Sequence, residues 1–200
     1  MIFLKRTHWF AVLLVVASSI IILQANAPAQ KSTALIRQRF DIFTAMRPCD
    51  PAQVKMFSLG RQPLDAILAE VTVENNSEKI ISAMKLVWRV YRGDEGRKIV
   101  FASCPPKSPT VGVLLTGTTD VIQMKSLGAK QTSTIGINPL PVQTSAANTV
   151  FVDRPFVTVD DVKSLVISRD NPEYSGKYAL ILFVSEIQYD DGTRWTSETP

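Results

Sequence analysis

From Ala66 to Glu74 the chain alternates. Ile67, Ala69, Val71 and Val73 fall on one side, and Glu70, Thr72 and Glu74 on the other. This period of two marks a half-buried strand. Asn75-Asn76-Ser77-Glu78-Lys79 follows, a run of turn formers. The next stretch, Ile80–Tyr91, places Ile80, Met84, Leu86, Trp88 and Val90 on one face. Lys85, Arg89 and Tyr91 share the other with Ile81, Ala83 and Val87. Two long strands joined by a short polar turn predict an antiparallel hairpin. Acidic residues of the first strand would then pair with basic residues of the second.

The same reading predicts further strands at 99–104, 111–115, 119–127, 131–137, 156–168 and 178–189. The run Ala179–Val184 is continuously apolar and suits a central strand. Asp190-Asp191-Gly192-Thr193 is a hairpin turn, because Asp-Gly suits positive φ, and Trp195 lies on a short returning strand. Residues 138–155 hold three prolines and read as a long connection or arm. Ile36, Phe40 and Phe43 have helical spacing and predict a short helix within 31–47, although Phe40 and Ile42 also fit an extended segment. Many strands without a long helix after residue 47 indicate an all-β fold of antiparallel sheets, a sandwich or a barrel.

The N-terminus differs from the rest. Lys5 and Arg6 precede an apolar run from Phe10 to Leu23, interrupted only by Ser18 and Ser19, and Ala27-Pro28-Ala29 follows. Positive charge, a short apolar core and small residues at the cleavage positions describe a secretory signal peptide, cut after Ala29, with a cut after Ala27 as the alternative. The run is slightly short for a spanning helix, which needs about 20 apolar residues. An uncleaved anchor is the alternative. The expected organisation is therefore a signal peptide or anchor over 1–29, an arm with a possible short helix over 30–65, and a β-domain over 66–200. The product would be extracytoplasmic, secreted or periplasmic, touching membrane only through its N-terminal segment.

Export changes the reading of the cysteines. Cys49 and Cys104 are the only two. In an oxidising compartment a disulfide is the default, worth roughly 4 kcal/mol for a loop of this length. Buried free thiols and a reactive thiol are the alternatives. Export also removes the sole histidine, His8. Without imidazole there is no Ser-His-Asp triad, no Cys-His pair and no common zinc site. The glycine motifs of nucleotide binding are missing too, so no cofactor is expected. The formal net charge of +4 falls once Lys5 and Arg6 leave, and no block of five basic residues exists. Nucleic acid is therefore not an expected partner.

Carboxylates remain as candidate chemistry. Asp160-Asp161 and Asp190-Asp191 are sequence neighbours. On a strand, neighbours point to opposite faces, so neither pair makes a proton-sharing dyad. Glu186 and Asp190 approach each other only if their strand bends. Calcium at Asp190-Asp191 needs oxygens from several loops. Trp88 lies between Leu86 and Val90 on its face and reads as core. Tyr91, Tyr189 and Trp195 are better candidates for an exposed aromatic patch. Asn75-Asn76-Ser77 matches a glycosylation sequon but is also turn chemistry.

The residues Val71–Ser77, Ile80 through Trp88 to Tyr91, Gly96, and Asp191-Gly192-Thr193-Arg194-Trp195 resemble small exported bacterial immunoglobulin-like β-sandwich domains. The resemblance spans about a third of the exported chain and implies fold and export. It carries no catalytic residue. In antibody-type domains the cysteines join two strands flanking a core Trp. Here Cys49 precedes the first clear strand, so a bridge would tie an arm or edge. The expectation is a non-catalytic module binding a protein or an envelope component. The alternatives are a membrane-anchored accessory domain and a carboxylate-based hydrolase.

Overall fold

The structure, a computed structural model, describes residues 36–45, 49–58, 65–95, 112–137, 148–167 and 177–197. The expected signal segment with Ala27 and Ala29, the strand at 99–104 and Cys104 lie outside the described residues. Cys49 is exposed, and no free cysteine stands among the described residues.

The fold is all-β. Among the described residues twelve strands run β1 (Phe40–Thr44), β2 (Ala52–Ser58), β3 (Ala66–Leu68), β4 (Glu70–Asn75), β5 (Ile81–Arg92), β6 (Val113–Thr118), β7 (Ile122–Leu127), β8 (Thr132–Ile137), β9 (Thr149–Val152), β10 (Val157–Thr158), β11 (Tyr178–Tyr189) and β12 (Arg194–Thr196). A six-stranded sheet has the order β1-β11-β5-β6, with β7 also on β5 and β12 on β11. A four-stranded sheet has the order β2-β4-β8-β9, and β3 pairs with β10. The expectation of purely antiparallel sheets is corrected: β1 runs parallel to β11, and β9 parallel to β8.

The region expected to be an arm supplies strands to both larger sheets. Instead of a helix around Phe40, β1 pairs along β11, and the Phe40 ring stacks on Tyr178 at 5.2 Å. β2 had no clear alternation and pairs with β4. In the other direction, most of 156–168 is not strand. After β10 a 3₁₀ turn (Asp160–Val162) leads into a short helix, α1 (Lys163–Ile167). The Asp161 carboxylate accepts from the Thr158 N–H at 2.7 Å and its hydroxyl at 2.8 Å. Thr-x-x-Asp is a helix-start signature, and it outweighs the β-branched run around it.

The expected β4–β5 hairpin is also corrected. The two strands belong to different sheets, and residues 76–80 form an arch between them. Asn75 closes it. Its side chain is fully buried, donates to the carbonyls of Lys79 (2.7 Å) and Leu127 (2.9 Å), and accepts from the Ser77 N–H (2.9 Å) and hydroxyl (2.7 Å). Its backbone bonds to Lys130 and Gln131, in the turn that carries the chain back from β7 to β8. One residue thus joins two crossings between the same two sheets. The charge pairing changes accordingly. Glu74 pairs with Lys55 on β2 (2.7 Å), and Lys85 with Glu186 on β11 (3.2 Å).

β5 is buried on both sides. Leu86, Trp88 and Val90 fill one face together with Leu180, Leu182 and Val184 of β11. On the opposite face Tyr91, Ala179, Ile181, Phe183 and Ala45 form a second cluster, flanked by Phe43, Val87 and Val113. Arg89 and Tyr91, expected on the solvent side, are buried there, and the Arg89 guanidinium sits 5.3 Å from the Phe183 ring centre. Register irregularities around Ser82 shift the strand's phase, so Ile81 is buried and Ile80 is 43% exposed.

Candidate functional site

Local backbone bonding builds a groove beside β9. β6 and β7 pair with the same side of β5 at different heights, leaving Leu86 between them. Thr119 fills that gap. Its N–H donates to the Leu86 carbonyl at 2.9 Å, and its hydroxyl accepts from the Leu86 N–H at 3.0 Å. The connection therefore turns outward at Asp120 and Val121. On the other wall, Asn148 anchors the start of β9. Its carbonyl accepts from the Ser133 hydroxyl (2.7 Å) and the Thr134 N–H (3.1 Å). β9 then runs beside β8 and leads into Asp153-Arg154-Pro155-Phe156.

The groove between Thr119–Gln123 and Phe151–Phe156 has a volume of about 330 Å³. Ile122 and Phe156 are buried in its lining. Val121 (48% exposed) and Phe151 (45% exposed) are two of the most exposed large apolar side chains described. Asp120, Asp153 and Arg154 add three charges to the lining, and none of them forms an ion pair among the described residues. Elsewhere Glu74 of β4 pairs with Lys55 of β2, and Lys85 of β5 with Glu186 of β11. Apolar surface beside unengaged charge suits recognition of an amphipathic ligand.

The carboxylates expected to be candidate chemistry have other tasks. Glu186 pairs with Lys85. Asp161 accepts from Thr158 just ahead of the 3₁₀ turn, and Asp160 lies 3.9 Å from Lys163. Asp191 accepts from the Thr193 hydroxyl (2.6 Å) and N–H (2.9 Å) and pairs with Lys79 at 2.8 Å. The Lys79 ammonium, followed by these Thr193 donors, holds the Asp191 carboxyl far below its ordinary range. Among the described residues no cluster of three His, Cys, Asp or Glu side chains has metal-binding geometry.

The expected aromatic patch does not form. Tyr91 and Tyr189 are buried, and Trp195 is half-buried opposite Ile187. Trp88 is core, as expected, at 6% exposure. The sequon asparagine, Asn75, is buried and fully bonded, which leaves it no room for a glycan. Phe151 is a lining residue that the sequence pattern does not single out, because its short Thr-Val-Phe-Val run follows a proline-rich stretch and reads as part of a connection. The β-branched and aromatic composition was the available signal for a strand. Among the described residues no helix is long and apolar enough to cross a membrane.

Comparison with known protein families, curated proteins and solved structures finds no match to this chain.

Proposed function

We propose that this chain is an exported, non-catalytic module with an immunoglobulin-like β-sandwich, and that it binds another protein or an envelope component through the groove beside β9. The observation that carries the reading is the placement of Val121 and Phe151, exposed and apolar, next to three unengaged charges. Exposed apolar side chains within a rim of charge are a common mark of a recognition surface. The sequence features that support export are Lys5-Arg6, the apolar run and Ala27-Pro28-Ala29. With His8 removed, imidazole-dependent catalysis has no residue to run it.

The test is a pull-down from the native extracytoplasmic fraction with two baits, the wild-type chain and Phe151→Asp. A protein or envelope component retained by the first and lost by the second supports the reading. Identical retention by both baits overturns it, as does retention of nothing.

A further inference from the structure

Resting on the groove reading, we infer that the partner binds as an added strand on β9, through an extended segment that carries alternate apolar side chains and a basic residue. The four-stranded sheet ends in β2 on one side and β9 on the other. The two edges differ. β2 carries Lys55 and a register shift between Val54 and Met56. A charge and a bulge are standard protections against edge pairing. β9 is Thr-Val-Phe-Val, has no charge, and keeps regular register with β8.

In a parallel pair, alternate residues direct both backbone groups away from the neighbouring strand. No described strand pairs with the outer edge of β9. An extended segment laid there gains main-chain bonds, and its alternate side chains reach the groove. One apolar side chain would rest against Val121 and Phe151, above Ile122 and Phe156. Asp120 and Asp153 outnumber Arg154 in the lining, so a lysine or arginine on the segment is the complementary charge. A second copy of this chain fits less well. Stable dimers bury about 1,600 Å², whereas β9 offers only four residues of edge.

The experiment selects peptides from a displayed library of random linear sequences against the chain as exported. Enriched sequences are made synthetically, and each is N-methylated on one alternating set of amides or on the other. Enrichment of alternate apolar residues with Lys or Arg is expected. Affinity should fall about tenfold in one N-methylated form and little in the other, since only one set of amides faces β9 and loses its main-chain bonds. Phe151→Asp should abolish binding, and Asp153→Lys should weaken it. Peptides that need Phe151 but tolerate both N-methylated sets overturn strand addition and leave the groove reading standing. Peptides indifferent to Phe151→Asp overturn both, and no enrichment overturns strand addition. A dimer in sedimentation that Phe151→Asp disrupts, with no peptide enriched, overturns the inference in favour of a second copy.

Discussion

The indole of Trp88 occupies the space that a β-carbon on Gly117 would need. The two residues are register partners on β5 and β6, and a methyl group at 117 would overlap Cζ2, Cε2 and Nε1 of the ring. The obstacle is the body of a packed indole rather than the free end of a flexible chain. The glycine is therefore required by close approach, since it is not among the glycines with positive φ.

Gly117→Ala should destabilise the protein by about 1–3 kcal/mol, the usual cost of overpacking. Trp88→Ala should cost roughly 3–5 kcal/mol, out of a total of about 5–15 for such domains. With a smaller side chain at 88, as in Trp88→Leu, the Gly117→Ala cost should largely vanish. Denaturant melts of the two single variants and the double variant would show this coupling. Additive costs would mean that the ring does not lie over Gly117.

Asn75 is the second structural test. Asn75→Ala removes the buried amide donor to the Leu127 carbonyl and leaves the Lys79 carbonyl only the Ser77 hydroxyl at 3.2 Å; it should cost about 1–3 kcal/mol. Asn75→Asp should cost more, because it sets a buried carboxylate against two carbonyl oxygens. A denaturant melt that ranks Asp as milder than Ala would count against the bonding described. Expressed through a eukaryotic secretory pathway, the folded chain should carry no glycan at Asn75 by mass spectrometry.

The Asp191–Lys79 pair sets an acid-side dependence. The folded-state pKa of Asp191 lies below the ordinary value of 3.8. Its contribution to stability is whole above the unfolded value and is lost as pH falls through the lower folded one. Lys79→Met should raise the Asp191 pKa toward the ordinary range, observable by NMR titration of its carboxyl carbon. Acid unfolding of the variant should depend less steeply on pH in that window. The pair is exposed, so the change near neutral pH should be small.

Export and the cysteines can be tested on one sample. Mass spectrometry of the extracytoplasmic protein should place its N-terminus at Gln30, and an intact residue 1 in a membrane fraction would point to the anchor. Thiol labelling after denaturation without reductant should find neither Cys49 nor Cys104 free. Reduction should lower stability by roughly 4 kcal/mol in the loop-entropy model. Two labelled cysteines would exclude the bridge.

By itself the sequence determined the strand content and most strand positions, because side-chain alternation and turn chemistry are local properties. β4, β8 and β11, and the Asp-Gly turn before Trp195, lie where the pattern puts them. Local chemistry also held the start of the 3₁₀ turn, in Thr158-x-x-Asp161. What only tertiary structure decided was which strands pair. A polar turn after an alternating strand serves a hairpin and an arch equally, and the choice at Asn75 depended on Leu127 and Lys130, far along the chain. Burial of Arg89 and Tyr91 depended on β11 lying beside them with Phe183 and Ile181. The groove was the least legible feature. Its two walls are about thirty residues apart in sequence, and exposure of Phe151 follows from β9 ending a sheet, a matter of strand order that no local pattern encodes.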